Sequence, residues 1–206
     1  MNSFHQAAST WDDRPVHWER SEAIAKLIKE KTVLKPEMTA LEFGAGTGIL
    51  SYLLKDEFSH IVLMDNTPEM LTMIDEKIEN LGITNFETLL FDLEKKPYHY
   101  RLFDVIFTQM AMHHVTNIPL VIERFAEMLK PEGYLAIADL YPEDGSFHAG
   151  GIPAVHNGID TTQLCEDIKQ AGFIHCHSEW CFTVKRTMED GSVKEFPIFL
   201  TIAQKK

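Results

Sequence analysis

LEFGAGTGIL, residues 41–50, ends an apolar run on Glu42 and Phe43 and then places glycine at 44, 46 and 48. A glycine inside regular structure costs about 0.5–1 kcal/mol against alanine, so three at alternate positions mark backbone that must turn tightly or lie bare against something else. One glycine is enough for a strand-to-helix turn. Three point to a ligand that approaches the main chain.

The surrounding pattern says where that turn sits. TALEFG, HIVLMD, NFETLLFD, FDVIFTQM and GYLAIADL are short apolar runs rich in β-branched and aromatic residues, and read as strands buried on both faces. Helical patterns separate them. TPEMLTMIDEKIENLG has Thr67 as cap, Pro68 at the first helical position, Met70, Leu71, Ile74, Ile78 and Leu81 at helical spacing, and Gly82 as terminator. NIPLVIERFAEMLKPEG repeats the plan with Leu120, Ile122, Phe125, Met128 and Leu129, stopped by Pro131 and Gly133. DTTQLCEDIKQAGF opens on Asp160 with Gln163 three residues on. Residues 15–32 form one more amphipathic helix, with Ile24, Leu27 and Ile28 on one side. Strand–helix alternation predicts a parallel sheet with helices on both faces. The C-terminal runs FIHCHSEWCFTVKR and VKEFPIFLTIAQ break it, because Asp190-Gly191 between them is a hairpin signal and makes them antiparallel.

Composition narrows the function. The chain has 206 residues, 45% hydrophobic and 24% charged, which fits one soluble globular domain. A net charge of −12 argues against a nucleic-acid binder and against docking on anionic membranes. No apolar run approaches the roughly 20 residues that span a bilayer, and the N-terminal residues lack the apolar core of a signal peptide. Cys165, Cys176 and Cys181 show no CxxC spacing and read as reduced thiols of a cytoplasmic protein.

In open α/β sheets, ligands bind outside the carboxyl ends of the strands where strand order reverses, and the glycine stretch lies at such an end. Its G-x-G-x-G spacing is not the G-x-G-x-x-G of dinucleotide sites, and no Lys-Ser/Thr follows to make a P-loop. Glu42 would repel a pyrophosphate but suits a group carrying ammonium or sulfonium charge. Asp65, about 20 residues beyond the glycines, stands where a carboxylate accepts hydrogen bonds from ribose hydroxyls. Asp92 ends the third strand beside the same crevice, in reach of an adenine amine.

With these features the sequence resembles the class I S-adenosylmethionine-dependent methyltransferases, particularly the small-molecule group that includes ubiquinone/menaquinone-biosynthesis enzymes. LEFGAGTG resembles that family's first motif, MDNTPEML its second, and FDVIFTQMAMHHV and LKPEGYLAIADL its fourth- and fifth-strand regions. The resemblance implies a Rossmann-like, doubly wound, seven-stranded and mostly parallel sheet with an antiparallel last strand. It also implies one domain over residues 1–206: a helical preface at 1–35, a cofactor-binding half at 36–141, and a substrate loop, helix and hairpin at 142–206. Gly44, Ala45, Gly46 and Gly48 would line the methionine part of S-adenosylmethionine, supported by Glu42. Asp65 would hold the ribose, Met64 and Asn66 would flank the adenine, Asp92 and Leu93 would bound it, and Gln109 would present backbone to the amino-acid end. S-adenosylhomocysteine would be the product.

On the acceptor side, QMAMHHV follows the fourth strand, so His113 and His114 are the candidates for a catalytic base or substrate contact. The long loop at residues 141–158 offers Tyr141, His148 and His156 as substrate contacts. Metal ligation by these residues with Asp144 is a weaker reading, and no metal is expected. Trp11 and Trp18 belong to a segment that in this family often folds over the cofactor. His175 and His177 share a strand face and read as structural or exposed. The chain lacks the elements expected for nucleic-acid base, catechol or protein-arginine methylation, which leaves a small-molecule acceptor. The competing expectations are a cofactor-binding sensor or partner subunit without turnover, and a nicotinamide-dependent oxidoreductase.

Overall fold

The computed structural model describes residue 12 and residues 14–149 and 154–206. The strands are β1 (Thr39–Phe43), β2 (His60–Asp65), β3 (Phe86–Leu90), β4 (Phe103–Gln109), β5 (Leu129–Leu140), β6 (Phe173–Thr187) and β7 (Val193–Lys205). They form one seven-stranded sheet in the order β3-β2-β1-β4-β5-β7-β6. The pairs among β1 to β5 are parallel, whereas β7 runs antiparallel to both β5 and β6. The sheet expected from strand–helix alternation and a terminal hairpin is therefore the sheet that forms. Order reverses between β1 and β4, and the glycine stretch sits at that switch point.

Among the described residues, five helices cover the sheet: α1 (Pro15–Lys31), α2 (Ile49–Leu54), α3 (Pro68–Leu81), α4 (Ile118–Met128) and α5 (Thr161–Gln170). Because strand side chains alternate between faces, one core holds Leu41, Ile106 and Ile137 against Val121 and Phe125 of α4 and Leu164 of α5. The opposite core holds Ala40, Phe107 and Ala138 against Ile24 and Ile28 of α1 and Leu50 and Leu54 of α2. Capping follows the sequence at α5, where the Asp160 carboxylate accepts from the N–H groups of Thr162 and Gln163. No helix among the described residues is long and apolar enough to cross a membrane.

Several local readings are corrected. The Thr67 side chain does not cap α3; the Asp65 carboxylate reaches forward to accept from the Thr67 N–H instead, at 2.9 Å. In α4, Val121 is fully buried, whereas Leu120 is only partly so. The α4 pattern stops at Met128, since Leu129 already pairs with Phe103 as the first residue of β5. β3 is an edge strand and stays partly exposed instead of being buried on both faces. The three cysteines are not all thiols: Cys165 of α5 and Cys176 of β6 form a disulfide, their Cα atoms 5.9 Å apart because the helix packs on the strand that follows it. Cys181 is free and buried, and burial pushes its thiol up to about 12.

Candidate active site

The loop after β1 takes the shape its glycines permit. Gly44, Gly46 and Gly48 all have positive φ, at 64°, 56° and 74°, a region that costs other residues about 1–2 kcal/mol. Gly44 also faces a neighbour at close quarters, because a Cβ there would lie 2.5 Å from the Ala111 Cβ just beyond β4. Gly46 differs. Among the described residues nothing lies within 4 Å of the position its Cβ would take. Its N–H donates to the Asp65 carboxylate at 2.9 Å, and the Ala45 N–H donates to the Met64 carbonyl at 3.1 Å. The loop is thus fastened to the end of β2.

Two carboxylates lie beneath it. Glu42 is fully buried. Its Oε2 accepts from the Ser51 N–H at 3.1 Å and hydroxyl at 2.5 Å, while its Oε1 has no hydrogen-bond partner among the described residues. Burial pushes the Glu42 carboxyl up to about 8, against the lowering effect of the Ser51 hydrogen bonds. Burial also raises Asp65, although backbone N–H groups of Gly46 and Thr67 pull the other way. Each Asp65 oxygen accepts one of these bonds and keeps a lone pair for another donor. An orphaned, desolvated carboxylate oxygen under open glycine backbone suits a cationic ligand, since a nearby positive charge would favour its ionised form.

Met64 and Leu93 are buried in the core below the strand ends, and Asn66 is exposed at the rim. Asp92 is half-buried and caps the turn after β3, accepting from the Glu94 N–H at 3.0 Å and pairing with Lys95 at 2.8 Å. The Lys95 ammonium, more than any other contact, holds its carboxyl below the usual range. Gln109 ends β4, and its side-chain Oε1 accepts from the Ser21 hydroxyl of α1 at 2.9 Å. The N-terminal segment also reaches the loop, because Asp12 accepts from the Thr47 hydroxyl at 2.7 Å and pairs with Lys77. Trp18 donates to the Asp12 carbonyl at 3.0 Å. Trp11 lies outside the described residues.

On the other side of β4, a second polar group forms within a turn at Met112–His114. His113 is buried, and its Nδ1 lies 2.6 Å from the Asp139 carboxylate, which also accepts from the His113 and Leu140 N–H groups. Its Nε2 faces Nε2 of His148 at 3.1 Å. The His114 ring centroid is 4.2 Å from that of His113 and 5.3 Å from that of His148. His113 and His114 were expected after the fourth strand and His148 in the separate loop at 141–158, and the structure brings the three together. Burial, then His113, lowers the His148 pKa.

Other expected contacts go elsewhere. His156 hydrogen-bonds the Val115 carbonyl at 3.0 Å and borders a separate open groove of about 370 Å³ with Thr116, Asn117, Asp160 and Gln163. Tyr141 packs edge-on against Phe199 at 5.3 Å. Asp144 is exposed and pairs with Lys194, which holds its carboxyl far below the usual range, so it does not join the histidines. Sequence reasoning missed Asp139 and Arg20. Arg20 is buried on α1, its Nε has no partner among the described residues, and burial lowers it to about 10 despite the nearby Asp139. Both carried a signal: a carboxylate inside the apolar run AIADL, and an arginine four residues before Ile24 on the apolar face of α1.

The chain that folds this switch-point loop has known relatives. Residues 34–191 match the family model of a methyltransferase domain. The chain belongs to the class I S-adenosylmethionine-dependent methyltransferases. An uncharacterized methyltransferase of Schizosaccharomyces pombe is 30% identical over 153 residues, which are 66% of this chain and 54% of that one. The ubiquinone/menaquinone biosynthesis C-methyltransferase UbiE of Escherichia coli is 29% identical over 144 residues, 66% of this chain and 57% of that protein. This methyltransferase chain spans about half the length of these curated relatives. Among solved structures, the N-methyltransferase NodS of Bradyrhizobium japonicum, in complex with S-adenosylhomocysteine, has a TM-score of 0.71 at 14% identity and 99% coverage of both chains. A SAM-dependent methyltransferase from Aquifex aeolicus has a TM-score of 0.69 at 23% identity, covering 98% of each. These likenesses are of fold.

Proposed function

We propose that the protein transfers a methyl group from S-adenosylmethionine to a small-molecule acceptor. The observation that carries this reading is the orphaned, fully buried Glu42 oxygen beneath the open backbone at Gly46. When bound there, the cofactor supplies an electrophilic methyl group on a sulfonium. Glu42 answers the cofactor's positive charge, and Asp65 accepts from the ribose hydroxyls through its remaining lone pairs. Asp92 and Leu93 border the adenine, with Met64 and Asn66 at its edges. Backbone at Gly44, Ala45, Gly48 and Gln109 meets the amino-acid end. Asp12, tied to Thr47, borders the loop.

The acceptor enters from the side of His113, His114 and His148. A small molecule is favoured by the net charge of −12, which gives no basic surface for nucleic acid. The relatives UbiE, of ubiquinone/menaquinone biosynthesis, and a plant phosphoethanolamine N-methyltransferase point the same way. Calorimetric titration of the purified protein with S-adenosylmethionine, S-adenosylhomocysteine and NAD tests the cofactor half. Binding of the first two alone supports the reading, and binding of NAD alone overturns it. Cofactor turnover with thiol, phenol and amine acceptors then separates an enzyme from a cofactor-binding sensor.

A further inference from the structure

We propose that His113, His114 and His148 form a binding site for one late first-row transition-metal dication, zinc in the first place, whose open position takes a thiol or phenol acceptor. The three side chains each offer a ring nitrogen, and these atoms all lie within 4.8 Å of one another. The geometry is most telling between His113 and His148. His113 Nδ1 lies 2.6 Å from the Asp139 carboxylate, and in the tautomer that donates this N–H the Nε2 lone pair faces Nε2 of His148, 3.1 Å away. Two ligand nitrogens on one tetrahedral zinc at about 2.0–2.1 Å stand roughly 3.3 Å apart, so this pair is already at ligand spacing.

Asp139 completes the argument. A histidine that binds metal through one nitrogen commonly donates the other N–H to a carboxylate, which fixes its tautomer and orientation. Asp139 is fully buried and does this while accepting two backbone N–H groups. The segment that carries His148 is fastened in place: the N–H groups of Val155 and His156 both donate to the His113 carbonyl at 3.0 Å, and Lys194 pairs with Asp144 and Ser146. An all-imidazole set excludes magnesium and calcium, which take oxygen ligands, and suits zinc, cobalt, nickel or copper. Three histidines with a position left open are the arrangement of catalytic zinc sites.

The cluster adjoins the cofactor loop, since Ala111, two residues before His113, is the residue that Gly44 abuts. A bound dication there lowers the pKa of a coordinated thiol or phenol and holds it as its anion, the proton passing to solvent. This role rests on the methyl-transfer reading, whereas ion binding itself does not.

The test uses untagged, chelator-treated full-length protein titrated with cobalt(II) and followed by visible absorption, with metal content measured after zinc loading. One ion per chain and an intense tetrahedral cobalt band are expected, with the band displaced by zinc. His148→Ala and His114→Ala should each lose the band while the metal-free proteins melt at the wild-type temperature. Asp139→Asn should weaken cobalt binding by roughly 10–100-fold. Thiophenol added to the cobalt form should produce a new thiolate-to-cobalt band. Failure of the wild type to take up a stoichiometric ion, or equal uptake by the two alanine variants, overturns the site. An unchanged spectrum with thiophenol overturns the acceptor's place on the ion. Cobalt binding without S-adenosylhomocysteine binding would sink the methyl-transfer reading and leave the metal site standing.

Discussion

Glu42→Gln separates two effects of one buried carboxyl. The folded protein holds this group near a pKa of about 8, against 4.5 for the free side chain. Below 4.5 both the folded and the unfolded chain carry it protonated, so folding is fully favourable with respect to this group. Between 4.5 and about 8 the unfolded chain releases the proton and the folded chain keeps it, so stability falls as pH rises, by about 1.4 kcal/mol per pH unit. Above about 8 the loss levels off at roughly 5 kcal/mol, an upper limit because the loop can open and hydrate the carboxylate. Glutamine is the neutral isostere and can accept the two Ser51 bonds without ionising, so the variant lacks this slope.

Urea unfolding of both proteins at several pH values between 5 and 8.5 measures the difference directly, because every other titrating group is common to both and cancels. The variant should gain on the wild type steadily across that window and be the more stable by a few kcal/mol at pH 8. The same substitution should weaken S-adenosylmethionine binding, since it removes the charge that answers the sulfonium. Cofactor binding to the wild type near pH 7 should release close to one proton, read from calorimetry in buffers of different ionisation enthalpy, and binding to the variant none. Parallel stability curves would refute the reasoning, for they would mean that Glu42 is ionised in the fold throughout.

Asp65→Ala should reduce S-adenosylhomocysteine affinity by about 10–100-fold in a calorimetric titration, the range for losing hydrogen bonds to a charged acceptor. Gly46→Ala has room for its methyl group but must hold φ at 56°, so it should cost about 1–2 kcal/mol in urea unfolding and sharply weaken cofactor binding. Gly158→Ala should destabilise by more than Gly46→Ala with no route to relief, because its Cβ would stand 2.1 Å from the Tyr141 carbonyl oxygen. Asp160→Ala removes the cap that receives the Thr162 and Gln163 N–H groups and should cost about 1 kcal/mol in the same measurement.

The sheet was legible because its signals are local. Alternating apolar runs, Pro68 and Gly82 around α3, Asp160 before α5 and Asp190-Gly191 between β6 and β7 each act within a few residues. What went unread depends on partners outside each element's own pattern. Thr67 looks like a cap until Asp65 takes the part, and Cys165 and Cys176 look like isolated thiols until α5 lies on β6. The edge position of β3 is set by strand order, to which its own apolar residues are indifferent.

The same distinction divides the candidate site. Its cofactor side is a glycine turn after β1 with Glu42 at the end of that strand, Asp65 at the end of β2 and Asp92 just after β3, all ordered by sequence spacing, so these candidates could be named from the sequence. Its acceptor side is an assembly across the fold. His113 is held by Asp139 from the adjacent strand, 26 residues away, and meets His148, 35 residues away, from a loop that returns over the sheet. No periodicity links those positions, so the sequence offers His113, His114 and His148 as separate candidates without showing that they meet. Asp139 was nevertheless open to inference by cost: a carboxylate in an apolar run is unstable without partners, and no side chain beside it in AIADL supplies one. Arg20 on the buried face of α1 poses the same demand. Charged residues at positions where the pattern calls for apolar ones therefore locate the half of the site that motif spacing leaves dark.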